Sequence, residues 1–253
     1  MDPLSRFAEL VGWPEATIPL DEAAILIAAQ GRPPVDVAAE LGRLDGLADR
    51  LLEPTVERLM QQLFVVEGFR GDVDTYSDPR NSFLPDVVDR RLGIPITLSL
   101  LAIEVGRRAG VALHGVGMPG HFLVRCDDPA PGPQFFDPFA GGLALDEAGC
   151  EARFRATVGE GPVWDVAFLA PVGPRQILAR ILANLRQHYL AVGDPAALGW
   201  VVRWRTAIPG ADPNEVAAVA DALVRQARFG EAAIVLEANG HSVDARRVRA
   251  RLN

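Results

Sequence analysis

Apolar residues recur every three or four positions through the first 67 residues, the period of helices that bury one face. Leu4, Phe7, Ala8 and Val11 predict a short helix over residues 2–12, stopped by Trp13 and Pro14. A second opens at Leu20-Asp21-Glu22 with Asp21 as its N-cap, carries Ala23, Ile25, Leu26, Ile27 and Ala29, and ends at Gly31 and Pro33-Pro34. A third, over residues 35–52, lines up Val37, Leu41, Leu44, Leu47, Ala48 and Leu51. Pro54 breaks it, and residues 56–67 form a fourth through Leu59, Leu63 and Phe64. Residues 1–67 therefore read as a small helical segment packed on a central core.

The periodicity fades over residues 68–79, where Gly68, Gly71, Asp72, Asp74, Ser77, Asp78 and Pro79 make a polar loop. Arg80-Asn81-Ser82 then precede a helix carrying Phe83, Leu84, Val87, Val88 and Leu92. They read either as a cap, with Asn81 or Ser82 on orphan amides and Arg80 pairing a nearby carboxylate, or as the lining of a cleft. Between Gly93 and Gly110 the chain is apolar nearly all round, which marks a helix buried inside a domain. Its one polar stripe runs through Thr97, Glu104 and Arg108. Residues 111–116, 122–126 and 134–138 read as strands, the last set off by a Pro- and Gly-rich turn at 129–133. A buried helix followed by an antiparallel meander predicts an α+β core over residues 68–172. A short helix near residues 145–158 and an all-helical tail over 173–253 complete the chain. Within the tail, Ala196-Ala197-Leu198 and Ala232-Ala233-Ile234 recur about 36 residues apart, each at a glycine-acidic turn, as in a degenerate tetratricopeptide-like repeat.

Composition narrows the function classes. The 253 residues carry a formal net charge of −8, which disfavours nucleic acid as a partner because phosphate binding needs a basic surface. No apolar run is long enough to span a bilayer, and the first residues lack a signal peptide's basic and apolar regions, so the expectation is a soluble, cytoplasmic chain. Cys126 and Cys150 sit in unrelated contexts and read as reduced thiols rather than a disulfide or a zinc site. No cofactor is implied.

The chemistry concentrates in Gly120-His121-Phe122-Leu123-Val124-Arg125 and Phe135-Phe136-Asp137-Pro138-Phe139. A histidine and an aspartate on neighbouring strands are the base and its orienting acid in a triad, provided a nucleophile faces them from a helix N-terminus. His121, Asp137 and Thr97 are the catalytic candidates. Arg80, Asn81, Ser82, Ser99 and Glu104 are candidates for binding. Metal ligation by His121, Asp137, Glu104 and His114 would call for a close ligand motif; the sequence has none, and no metal is expected.

These runs, with Gly68-Phe69-Arg70-Gly71, residues 78–84, residues 89–99 and Gly141-Gly142, resemble the SirB-type branch of the transglutaminase-like superfamily. The likeness implies a papain/transglutaminase-like core: a cysteine at the N-terminus of a buried helix, then a histidine and an aspartate on adjacent strands, serving acyl transfer or amide hydrolysis. The histidine falls on His121 and the aspartate on Asp137. With Gly93 and Gly110 laid on the glycines flanking the family's cysteine helix, the nucleophile position falls on Pro95, and the nearest hydroxyls are Thr97 and Ser99. Cys126 is no substitute, because it lies five residues along the strand from His121, about 16 Å when extended. The resemblance leaves two readings of function. One is a protein- or peptide-binding scaffold with a degenerate cleft; the other is an acyl or amide hydrolase using His121 and Asp137 with a hydroxyl or an activated water. The oligomeric state is open.

Overall fold

The computed structural model describes residues 2–127, 132–159, 161–212 and 214–252; the turn expected at 129–133 falls largely outside them. The chain divides into two compact units, Pro19–Ile177 and a second made of Met1–Ile18 with Leu178–Asn253.

The larger unit begins with α2 (Leu20–Gly31), α3 (Val37–Ala48) and α4 (Val56–Met60). Asp21 does not cap α2, since the helix starts one residue earlier with Pro19 in the cap position. Its carboxylate is buried and meets Arg107 and Arg108 instead. Asp36 caps α3 through the amides of Ala38 and Ala39, which sets its start at Val37, and the helix ends at Ala48, short of the expected residue 52. The fourth helix changes winding: α4 runs into a π-helical turn, Gln61–Val66. A two-residue strand, β1 (Arg70–Gly71), pairs in parallel with β2 (Leu92–Gly93), and between them lie a 3-10 turn, Pro79–Ser82, and α5 (Leu84–Arg90).

The central helix α6 (Pro95–Ala109) is buried along most of its length, as its all-round apolar sequence requires. Proline suits its first turn, where an amide has no intrahelical partner, and Gly110 ends it at φ +82°, the left-handed region that favours glycine. Beyond α6 an antiparallel sheet has the order β6-β5-β4-β3-β7, with β3 (His114–Val116), β4 (Leu123–Cys126), β5 (Gln134–Asp137), β6 (Leu143–Leu145) and β7 (Pro171–Val172). Three of these strands coincide with the expected meander, each somewhat shorter. The short edge strands β6 and β7 were not expected, and β6 takes the start of the anticipated helix, so α7 spans Glu147–Val158. Val116, Met118, Leu123, Phe135, Cys150 and Leu169 form one core cluster joining the sheet to α7. The Phe154 ring stacks on Phe168 at 5.4 Å beside it.

The smaller unit carries α1 (Pro3–Val11), most of α8 (Pro174–Val192), α9 (Pro195–Thr206), α10 (Glu215–Arg225), α11 (Phe229–Ala238) and α12 (Ser242–Arg249). Phe7 of α1 packs on Trp204 of α9, with ring centroids 4.7 Å apart. The recurring segments Ala196–Leu198 and Ala232–Ile234 fall in α9 and α11, and the Asn239 amide after α11 donates to the carbonyl of Gly199 in α9 at 3.1 Å. The turn before α9 is as expected, with Gly193 at φ +74° and Asp194 as N-cap. The second is not, because Gly230 lies inside α11. Among the described residues, no helix is long and apolar enough to cross a membrane.

Candidate functional site

Of the eight residues singled out by sequence, seven are buried and only Arg80 is exposed. Buried polar side chains need partners, so their hydrogen bonds show what each one does. They fall into separate groups.

His121 and Asp137 come together. Asp137 ends β5, and its Oδ1 accepts the amides of Phe139 and Ala140 at 3.0 and 3.1 Å, capping the 3-10 turn Pro138–Ala140. That leaves Oδ2 to meet His121 Nε2 at 3.0 Å across the sheet. Asp137 is 0% exposed and His121 6%. The Phe139 ring stands edge-on to the imidazole at 6.1 Å, and the half-exposed Tyr76 stands edge-on to Phe139 at 6.0 Å. Gly71 makes room for this arrangement, since a Cβ there would lie 2.6 Å from the Phe139 ring.

A third residue completes the group. Arg153 of α7 places Nε 2.9 Å from the same Asp137 Oδ2. Sequence reasoning missed it. In Arg153-Phe154-Arg155, Phe154 carries the apolar signal while two arginines flank it, and nothing local separates the one facing Asp137 from Arg155, which pairs with Glu151.

Where a nucleophile was sought stand a proline and side chains that are bonded or deeply buried. Pro95 stands at the first position of α6. Thr97 spends its hydroxyl on structure: Oγ1 donates to the Asn81 carbonyl at 2.6 Å and accepts the Ile94 amide at 3.2 Å, closing the N-terminus of α6. Ser99 is fully buried further along the helix, and its Oγ has no hydrogen-bond partner among the described residues. Cys150 belongs to the hydrophobic core, where burial, with Asp146, Asp137 and Glu147 nearby, pushes its thiol up to about 12. At neutral pH such a thiol is not a nucleophile.

Asn81 anchors a second group. Its amide nitrogen donates to Asp72 Oδ2 at 3.0 Å and to the carbonyls of Thr75 and Tyr76, while Oδ1 accepts from Arg90 at 2.9 Å. It thus ties the 68–79 loop to α5 rather than capping a helix or lining an open cleft. Burial pushes the Asp72 carboxyl up, but the Thr75 hydroxyl and amide, Asn81 and Arg90 outweigh it and hold the group at about 2. Arg80 pairs with Asp78 at 2.6 Å and remains 57% exposed; this hydrogen bond chiefly lowers the Asp78 carboxyl. Ser82 is buried in the 3-10 turn.

Glu104 lies in a third group, bonded to Arg107 and Arg108 at 2.9 and 3.1 Å with Asp21 on the same two guanidinium groups. Burial and the Asp21 charge push its carboxyl up against the pull of the arginines. Glu104 therefore serves an internal ion-pair network. Among the described residues no three His, Cys, Asp or Glu side chains are placed to hold a metal ion.

Comparisons with known proteins give the chain its relatives. The family model of the transglutaminase-like superfamily matches residues 35–183. A UPF0162 protein of Xylella fastidiosa (strain 9a5c) is 40% identical over 198 residues, 69% of this chain and 66% of the relative. The UPF0162 protein of Pseudomonas aeruginosa is 34% identical over 192 residues, covering 70% of this chain and 67% of that protein. F-box only protein 21 of Mus musculus is 32% identical over 124 residues, 46% of this chain and 19% of the relative. The chain thus spans about two thirds of the UPF0162 relatives named and a small part of the mouse protein. No solved structure matches. On this family match over residues 35–183, the chain belongs to the transglutaminase-like superfamily.

Proposed function

We propose that this chain is a binding protein of the SirB-type branch, which keeps the transglutaminase-like cleft without its covalent chemistry and holds a protein or peptide segment there. The observation carrying the reading is the fate of the groups that would attack a substrate. By the resemblance the nucleophile position falls on Pro95, the first residue of α6; the Thr97 hydroxyl is bonded to the Asn81 carbonyl, and the Cys150 thiol is buried with its titration pushed to about 12. Losing a nucleophile costs several orders of magnitude in rate, so the remaining groups favour recognition over turnover. The match to a short part of a much longer F-box protein fits a module carried within different chains. We assign the C-terminal helices a tetratricopeptide-like partner role, in keeping with a polar hollow of about 660 Å³ lined by Arg203, Thr206, Asn239 and His241 among others. The cytoplasm is the compartment this reading assumes.

A second reading is favoured by one observation, the 3.0 Å bond from His121 to Asp137, which is the arrangement that lets an imidazole activate a water for acyl or amide hydrolysis. Incubation with acyl-phosphonate and epoxide probes, followed by intact-mass analysis, separates the two. The binding reading expects no adduct and no turnover of simple amides or esters. Stoichiometric labelling or hydrolysis that disappears in His121→Ala would establish the hydrolase instead.

A further inference from the structure

We infer that Arg153 makes the His121 cleft a receptor for a carboxylate-bearing ligand with an adjoining apolar or aromatic group. This rests on the binding reading and names the chemistry that the cleft takes.

The argument starts with the Asp137 carboxylate. A carboxylate has about four acceptor positions, and here all are engaged: Oδ1 by two backbone amides, Oδ2 by His121 and Arg153. Asp137 therefore fixes its partners and has nothing left for a ligand. The guanidinium of Arg153 is in the opposite position. A guanidinium offers five N–H groups in a rigid fork, and its closest approach to Asp137 is through Nε. Among the described residues, Nη1 and Nη2 make no further ion pair or hydrogen bond. The side chain is 32% exposed while the carboxylate beneath it is 0% exposed.

The result is a guanidinium oriented from below by a buried acid and open at its outer edge. That edge matches a carboxylate through two parallel hydrogen bonds. Its surroundings specify the rest of the ligand. Two nitrogens that meet one oxygen at 3.0 and 2.9 Å stand within about 6 Å of each other, so a carboxylate on Arg153 sits beside His121. Phe139 and Tyr76 supply aromatic surface next to it. The carboxylate is either a peptide C-terminus or an acidic side chain, and the test distinguishes them.

The experiment titrates the full chain with N-acetyl-phenylalanine, N-acetyl-phenylalanine amide and N-acetyl-aspartyl-phenylalanine amide, with the His121 and Phe139 ring resonances read by NMR. The free acid is expected to shift both rings saturably and to bind at least tenfold more tightly than its neutral amide. Arg153→Gln should remove that preference, and Arg153→Lys, which keeps the charge without the fork, should retain part of it. Tighter binding of the aspartyl peptide than of the free acid assigns the site to side chains, and weaker binding assigns it to C-termini. Equal affinity for acid and amide, no saturable shift with either carboxylate, or an unchanged preference in a folded Arg153→Gln protein overturns the inference. Conversion of the amide to the acid during the titration, seen by chromatography, would overturn the binding reading, whereas the acid's dependence on Arg153 is scored separately.

Discussion

Individual residues show a division of labour between holding the fold and forming the site. Asp72 is the clearest case of the first. Its carboxyl is depressed from 3.8 to about 2 in the folded state, so its contribution is fully present above about pH 4 and is lost as pH falls toward 2. Urea unfolding of Asp72→Asn should therefore show a lower midpoint at neutral pH and a shallower loss of stability between pH 4 and 2 than the parent. Asp72→Ala, which removes the buried carboxylate that Arg90 and Asn81 share, should cost about 3 kcal/mol. Thr97 belongs with it. Thr97→Val removes the hydroxyl closing the start of α6 and should cost about 1 to 2 kcal/mol in denaturant titration. Ligand binding by the folded variant should be unchanged, which a nucleophilic role would not allow.

Between elements, Gly71 of β1 lies against the Phe139 ring, which itself stands edge-on to His121. Gly71→Ala would place a methyl group 2.6 Å from that ring and force Phe139 to move. Overpacking of this kind costs about 1 to 3 kcal/mol, and thermal unfolding together with a displaced His121 ring resonance would register it. How far the elements were legible depends on their length. The buried α6 announced itself through an apolar run bounded by Gly93 and Gly110, and β4 and β5 through short apolar segments next to His121 and ending in Asp137. β1, β2 and β7 have two residues each, too few to display a period of two. The π-helical turn at Gln61–Val66 has the same apolar spacing as an ordinary helix over so short a stretch, so its sequence reads as a continuation of α4. Arg153 was invisible for a different reason. Its partner Asp137 is brought close only by folding, and a helix with arginines on both sides of Phe154 does not reveal which one turns inward.

Across the whole molecule, other buried polar groups likewise serve the fold. Glu104, a binding candidate by sequence, shares a polar stripe of α6 with Thr97. In the folded chain that stripe leads to the network of Asp21, Asp45, Arg107 and Arg108, which links α2, α3 and α6. Arg108→Ala should destabilise the larger unit by about 3 kcal/mol, since Asp21 and Glu104 stay buried with only the more exposed Arg107 to balance them. Calorimetry measures this directly. The fold class and the His121–Asp137 pair were thus readable from one sequence, whereas the grouping of α1 with the C-terminal helices was not. Helical periodicity gives each helix its apolar face but says nothing about which distant helix will cover it.

If His121 and Asp137 form a base with its orienting acid that wants only a nucleophile, a thiol placed at position 95 should be activated. The most direct measurement is the rate of thiol alkylation by iodoacetamide across pH, read by peptide mass spectrometry, in the parent chain, Pro95→Cys and Pro95→Cys/His121→Ala. A thiol at a helix N-terminus beside an imidazole should titrate well below the ordinary value of about 8.5. The expected results are no fast-reacting thiol in the parent, a fast site at position 95 in Pro95→Cys, and its loss when His121 is removed. A His121-dependent reactive thiol already present in the parent, or a thiol at position 95 that reacts no faster than a free one, would contradict them.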